Sequence, residues 1–290
     1  MYCIIFNPTA GAGRSFKAMQ TVIQMLSDKN LEYEVFETQY KEHAVALARD
    51  AVGKGYDGII SVGGDGTLLE IASVIHGTGE TLGIIPAGTG NDFRQAIGVS
   101  RDPIEALETI LAGNKRKVDI GLLGDDRYFL NVAGTGFDVE VLKNTEKVRR
   151  TFTGGFAYFL GIFLSVFGYK SVTIDITIDE KIYRRRVLHI AIANGKCYGG
   201  GLNVAPDADV ADGLFNVLVI NHVPNWRILI ELPKLQKGQI DKIPNHEVFT
   251  CSELHISSET PLRFNLDGEV YGQTPSRLSI VPKSISVFCP

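Results

Sequence analysis

An apolar run, Asp57–Val62, ends in Gly63-Gly64-Asp65-Gly66-Thr67-Leu68 and gives way at once to a helical pattern over Thr67–His76. In an open α/β sheet, ligands bind outside the carboxyl ends of the strands, where the helices begin. Three glycines let bare amides approach a polyanion, and the helix N-terminus adds positive potential. A carboxylate among phosphate-binding amides calls for a cation beside it, which points Asp65 at a Mg²⁺ that bridges phosphates. A plain strand–helix turn with an N-capping Asp is the alternative. Two further loops hold equivalent places, Asn7-Pro8-Thr9-Ala10-Gly11 after Tyr2–Phe6 and Pro86-Ala87-Gly88-Thr89-Gly90-Asn91-Asp92 after Leu82–Ile85. Each alone reads as an ordinary turn, whereas three on one sheet edge point to a nucleotide site.

The surrounding pattern supports that sheet. Strand-like runs at Tyr2–Phe6, Tyr33–Phe36, Asp57–Val62 and Leu82–Ile85 alternate with helical stripes, such as Phe16, Met19, Val22, Ile23 and Leu26. This βαβα rhythm predicts a parallel sheet covered by helices. From about Val118 the pattern becomes strand-rich, with period-2 alternation in Val172–Ile178 and a turn at Asp179-Glu180 before Lys181–Ala193. That half reads as a mostly antiparallel β-domain, interrupted by helical stretches near 136–169 and 224–237. The expected division is 1–122 and 123–281, with a cleft between the two and the tail 282–290 able to return to the first. Glycine, 31 of 290 residues, exceeds the usual share of about 7% without a collagen-like period, so it marks special turns and close approaches.

Other features exclude function classes. A net charge of −4 supplies no basic field for nucleic acid. Cys3, Cys197, Cys251 and Cys289 form no CxxC pair, which fits a reducing cytosol rather than a zinc ribbon or disulfide framework. The amino terminus is too short in apolar residues for a signal peptide. Gly53-Lys-Gly55-Tyr-Asp-Gly58 matches GxGxxG, but it follows a helix and precedes a strand, the reverse of the dinucleotide context. No Walker loop occurs. The six histidines have no ligand spacing and read as surface or core positions, with His43 the nearest to the nucleotide edge. The uncharged stretch Thr151–Tyr169 reads as a buried helix, a helix lining an apolar substrate entrance, or a membrane span. Upstream, Lys143, Lys147 and Arg150 share a helical face that suits solvent or anionic headgroups.

The three loops together resemble the signature loops of the diacylglycerol kinase catalytic-domain family, which includes bacterial lipid kinases and sphingosine kinases. Matching segments continue through the second half, at Asn131-Val-Ala-Gly134-Thr-Gly136-Phe137-Asp138, Asn194-Gly195, Gly199-Gly200-Gly201, Ala205-Pro206-Asp207-Ala208, Asp212-Gly213-Leu214 and Leu266-Asp267-Gly268-Glu269. The resemblance implies an N-terminal three-layer α/β domain like that of NAD kinases and phosphofructokinases, and a C-terminal β-sandwich. It implies ATP contacts at Asn7, Pro8, Thr9, Ala10, Gly11, Thr38, Gly63, Gly64, Asp65, Gly66, Thr67, Leu68, Leu69, Thr89, Asn91 and Asp92. Asp65 would organise the phosphates and Mg²⁺, Glu269 would be the general base, and Asp209, Asp212 and Leu214 would form a further Mg²⁺ site. The acceptor implied is the hydroxyl of a diacylglycerol-like lipid at a membrane surface, met by a cytoplasmic, peripherally associated enzyme, with a homodimer left open. Alternatives are another lipid, such as a sphingoid base or phosphatidylglycerol, or a soluble acceptor such as NAD. Leu69, where a polar Asn is frequent, and Cys197 depart from the family pattern. Asp267 and Glu269 flank a glycine, and their repulsion is expected to raise at least one pKa toward the range of a base.

Overall fold

A computed structural model describes residues 1–148 and 154–290, the side chains of 154–158 excepted. Arg150 of the basic face, Phe152 of the uncharged segment, and the Phe156 and Tyr158 side chains lie outside the described residues. The chain divides into two units, residues 1–120 with 282–290, and residues 121–281.

The first unit contains β1 (Tyr2–Phe6), α1 (Arg14–Asp28), β2 (Tyr33–Glu37), α2 (His43–Ala51), β3 (Ile59–Gly63), α3 (Asp65–Ile75), β4 (Thr81–Pro86), α4 (Phe93–Ala96), α5 (Pro103–Ala112) and the first part of β5 (Lys115–Leu123). Strands β2, β1, β3 and β4 lie side by side and parallel. Every residue of β3 and β4 is buried, as required of strands covered on both faces. The chain terminus returns to this sheet: Ser286 and Val287 pair in parallel with Thr81 and Leu82. The buried Asp119 carboxylate accepts from Lys283 N at 2.6 Å, and Cys289 N donates to the Asn114 carbonyl at 3.1 Å. The turn into α5 is set locally, by Asp102 capping Ile104 N and Glu105 N with Pro103 at the first helical position.

The second unit contains β6 (Arg127–Phe129), β7 (Val132–Gly136), α6 (Phe137–Val148), α7 (Gly154–Gly168), β8 (Val172–Ile178), β9 (Lys181–Ala193), β10 (Cys197–Tyr198), β11 (Leu202–Asn203), β12 (Phe215–Asn221), α8 (Trp226–Gln236), β13 (His246–Cys251), β14 (Glu253–Ser258), β15 (Phe264–Leu266), β16 (Glu269–Tyr271) and the first part of β17 (Ser276–Phe288). The long strand β9 joins two antiparallel sets. Its first half pairs with β8, which continues to β14 and β17. Its second half pairs with β7 on one side and β12 on the other, and β7 continues to β15 and β16. The Asp179-Glu180 turn between β8 and β9 has φ of +47° and +64°, the left-handed pair of a type I′ hairpin.

Side-chain alternation sorts the second unit into two cores. Ile190, Ile192, Val217 and Val219 join Phe129, Phe215 and Phe264 between the β-layers. Ala191, Ala193, Leu218 and Ile220 face the other way, toward α6, α7 and α8. The pairing of β12 with β9 skips one residue, since Ile220 opposes His189 and Asn221 opposes Val187. This bulge turns Leu188 and His189 toward the same, helical side.

Gly121 on β5 marks a tight point of the first of these cores. A Cβ there would lie 2.2 Å from the fully buried Phe129 ring, which is stacked on Phe215 with centroids 5.6 Å apart. We expect Gly121→Ala to cost about 1–3 kcal/mol through overpacking, read as a lower urea midpoint, and Phe129→Leu in the same chain to recover part of it.

Candidate active site

The residues expected at a nucleotide gather past the carboxyl ends of β1–β4. Asn7, Pro8, Thr9, Ala10 and Gly11 follow β1, Thr38 follows β2, Gly63 to Leu69 end β3 and open α3, and Thr89, Asn91 and Asp92 follow β4. Two glycine loops press together here: a Cβ on Gly88 would lie 2.4 Å from Gly64 Cα, and one on Gly11 would lie 2.1 Å from the Ala87 carbonyl oxygen. Gly11 also has φ of +61°, so both sterics and backbone require glycine at that position.

Asp65 holds these loops in register. Its Oδ2 accepts from Asn91 N at 2.6 Å and its Oδ1 from Asp92 N at 2.8 Å. Burial pushes its carboxyl above the usual carboxylate range, and the backbone amides of Asn91, Asp92 and Phe93 pull the other way. Asn91, left-handed at φ +56°, closes its loop on itself: Gly88 N donates to its Oδ1 and its Nδ2 donates to the Gly88 carbonyl, both at 2.9 Å. Asn7 braces the other side, donating from Nδ2 to Thr67 Oγ1 at 2.9 Å and accepting from Thr9 N and Oγ1 at 3.1 and 2.9 Å. Thr38 N donates to the Phe6 carbonyl at 2.9 Å. The Leu68 side chain is buried in the core, so at this site it offers backbone alone.

A triphosphate fits this edge. Helix α3 starts without a side-chain cap, so its first-turn amides are not taken by a capping group, and a Cβ on Gly66 would meet nothing within 4 Å. Among the described residues no three His, Cys, Asp or Glu side chains converge on a metal position. The donor set therefore suits Mg²⁺ held jointly by Asp65 and substrate phosphates rather than by an all-protein cage. Sequence reasoning passed over Arg14, whose Nε donates to the Gly11 carbonyl at 3.0 Å and whose Nη2 reaches Thr89 Oγ1 at 3.4 Å. It also passed over Arg101, whose Nη2 donates to the Gly90 carbonyl at 3.0 Å. Neither arginine lies within a loop signature, and only the fold brings them to the loops.

In the second unit, Asp267-Gly268 forms the turn between β15 and β16, with φ of +48° and +102°. The Asp267 carboxylate accepts from Leu130 N at 2.6 Å, Asn131 N at 3.0 Å and Val132 N at 2.9 Å. Glu269, half-buried, accepts instead from the Tyr271 hydroxyl. The two carboxylates flanking Gly268 thus serve different partners, and Asp267 is an anchor that fixes the hairpin carrying Glu269. Gly268 N donates to Asn265 Oδ1 at 2.8 Å, and Asn265 Nδ2 donates to Asp138 Oδ2 at 3.0 Å. Asp209, Asp212 and Leu214 share one turn: Asp209 Oδ1 accepts from Ala211 N at 3.1 Å and Asp212 Oδ1 from Leu214 N at 2.9 Å.

The anchoring role of Asp65 has a direct test. In Asp65→Asn the side-chain amide presents a donor to one of two backbone donors, removing a charge-assisted bond worth about 1.5–3 kcal/mol. We expect nucleotide affinity, measured by calorimetry with ADP, to fall at least tenfold while the thermal unfolding of the chain remains cooperative. Because burial lifts the Asp65 carboxyl, the acid limb of ADP binding in the native chain should lie above the ordinary value near 4.

Comparison with known proteins bears on the whole chain. The family model for the diacylglycerol kinase catalytic domain matches residues 1–123, and that for the YegS C-terminal NAD kinase beta sandwich-like domain matches residues 131–289. A diacylglycerol kinase from Staphylococcus saprophyticus is 30% identical over 292 residues, covering 99% of this chain and 94% of its own. One from Staphylococcus aureus strain MRSA252 is 30% identical over 99% of this chain and 91% of its own. A crystal structure described as a diacylglycerol kinase from Bacillus anthracis str. Sterne shares the fold, with a TM-score of 0.81 at 23% identity over 100% of this chain and 96% of that one. The glycine-rich loop edge at Gly63-Gly64-Asp65, the β-sandwich unit that carries the Glu269 hairpin, and similarity along the full length agree: the chain belongs to the diacylglycerol kinase catalytic-domain family of lipid kinases.

Proposed function

We propose that the protein transfers the γ-phosphate of ATP, with Mg²⁺, to the hydroxyl of a diacylglycerol-like lipid, giving a phosphatidic-acid-type product. The observation that carries the lipid reading is a pocket in the second unit. It encloses about 680 Å³ of empty space, part of it open to solvent. Its walls are almost wholly apolar, from Phe137 and Val141 on α6, Ile162 on α7, Leu188 on β9, and Ile228 and Leu235 on α8. A nicotinamide dinucleotide would bring charges and sugars into such walls without partners, so the lining favours acyl chains over that soluble acceptor.

The outer faces of the same helices support contact with a membrane surface. On α7, Phe159, Phe163 and Phe167 recur every four residues, and Phe167 is 72% exposed. Trp226, Leu229 and Ile230 of α8 are exposed as well, Trp226 by 60%. Exposed aromatics on helices that also line an apolar pocket suit an interfacial position, where a lipid can pass from bilayer to pocket. Helix α7 is thus not wholly buried, and no described helix is long and apolar enough to cross a membrane.

The chemistry assigns roles to this chain's residues. The loop amides around Gly64 and Gly88, with Arg14 beside Gly11, would hold the phosphates, and Asp65 would keep those loops aligned. Mg²⁺ when bound would screen the phosphate charge and be shared between Asp65 and the nucleotide. Glu269 would take the proton from the lipid hydroxyl, its carboxylate oriented by Tyr271 and its hairpin fixed by Asp267. Base catalysis contributes roughly 10²–10⁴ in rate. With dioctanoylglycerol as acceptor, Glu269→Gln should lower kcat by a factor in that range with ADP affinity unchanged. Activity of the variant within threefold of the native enzyme would remove Glu269 from the role.

A further inference from the structure

Arg101 lies outside the glycine loops, and the proposed chemistry gives it no task. Its Nη2 donates to the Gly90 carbonyl at 3.0 Å. The amide of the same peptide, Asn91 N, donates to Asp65 Oδ2 at 2.6 Å. In a trans peptide the C=O and N–H lie in one plane and point in opposite directions. The Gly90–Asn91 unit is therefore gripped at both ends, its carbonyl by a cation and its amide by a carboxylate. A peptide dipole of about 3.5 D has its negative end at the oxygen, so both charges meet it with favourable sign. Hydrogen bonds joined through one polarised group strengthen each other.

The segment that carries Arg101 is fixed on both sides. Before it, Val99 is tied twice to α4: its N donates to the Arg94 carbonyl at 2.9 Å, and its carbonyl accepts from Arg94 Nη1 at 3.1 Å. After it, Asp102 N donates to Ser100 Oγ at 3.1 Å, and the Asp102 carboxylate caps α5 through Ile104 N and Glu105 N. The Arg101 side chain itself is exposed, so core packing does not depend on it. The gripped peptide is tightly placed on its other side, since a Cβ on Gly90 would lie 2.8 Å from Asp65 Oδ2. Asn91 needs the hold as well. Its φ of +56° is left-handed, a conformation that a residue other than glycine keeps only where its surroundings fix it. From that position Asn91 Oδ1 takes Gly88 N and closes the turn pressed against Gly64.

We propose that Arg101 is a positioning residue of the nucleotide site, which acts through the Gly90–Asn91 peptide to hold the loop after β4 on Asp65 in the geometry that receives the phosphates. This rests on the ATP reading and deepens it, by naming a residue that sets nucleotide affinity from outside the loops. The competing role for an exposed arginine at this edge is a direct contact with the phosphates, and the two roles differ in one respect. A residue that works through Asp65 loses its effect when Asp65 is changed, whereas a phosphate ligand does not.

The test is a double-variant cycle on ADP affinity, measured by calorimetry with Mg²⁺ on the full chain, together with the thermal unfolding of each variant. Arg101→Met keeps the length of the side chain and removes its donors. It should bind ADP about three- to tenfold more weakly, the loss expected for a hydrogen bond from a charged donor that water partly screens. Its unfolding midpoint should match that of the native chain. Arg101→Lys, which keeps a charged donor, should restore most of the affinity. In the Asp65→Asn background the further change Arg101→Met should cost less than about twofold, because two residues acting on one peptide do not add. A full second loss in the double variant would overturn the proposal and make Arg101 a phosphate contact. Unchanged affinity in Arg101→Met, or no recovery with Lys, would also overturn it and leave the ATP reading standing. Absence of ADP binding by the native chain would remove the ATP reading and this proposal with it.

Discussion

A carboxylate bonded to the backbone amides of a neighbouring loop organises each half of this molecule. In the first unit Asp65 takes the amides of Asn91 and Asp92, drawing the loop after β4 against the loop after β3 until Gly88 and Gly64 touch. In the second, Asp267 takes three successive amides at Leu130, Asn131 and Val132 and thereby fixes the turn that ends in Glu269. Charge-assisted bonds of this kind are shorter and about twice as strong as neutral ones, and several on one carboxylate leave it little freedom. Loops held this way keep their amides, and within the second unit the Glu269 carboxylate, in set positions before any ligand arrives, the preorganisation on which the proposed phosphoryl transfer relies.

The second unit adds a different device. Its β-layers could have packed with plain period-2 alternation, but one bulge in β9 breaks the period and places Leu188 on the helical side beside His189. Around it, Asp138, Asn265 and Tyr198 form a buried polar group bordering an apolar pocket. Helices α7 and α8, which carry exposed apolar side chains, also line that pocket.

Much of the framework was legible in the chain. Fully apolar runs at β3 and β4 and alternating ones at β8 announce, respectively, a doubly covered parallel sheet and an antiparallel layer. The Gly-rich loops could be placed because they follow strands. What could not be read is who their side chains meet. Asp65 and Asp267 are bonded to amides 26 to 27 and 135 to 137 residues away, respectively. Pairings of that separation leave no periodic trace. The turn of Leu188 toward the helices had no motif because a bulge has none, and Arg14 and Arg101 lie beyond the signature segments. The stretch near 136–169, read as one helical region, contains two helices, α6 and α7.

Transfer of phosphate to a lipid alcohol is open to one direct measurement. Native enzyme is incubated with γ-labelled ATP, Mg²⁺ and vesicles containing dioctanoylglycerol, beside a parallel reaction with NAD and other soluble alcohols, and the products are partitioned between organic and aqueous phases. Label is expected in the organic phase, in a phosphatidic-acid-type product, with none gained by the soluble acceptors. Label confined to a phosphorylated water-soluble acceptor, with the lipid unmodified, would contradict it.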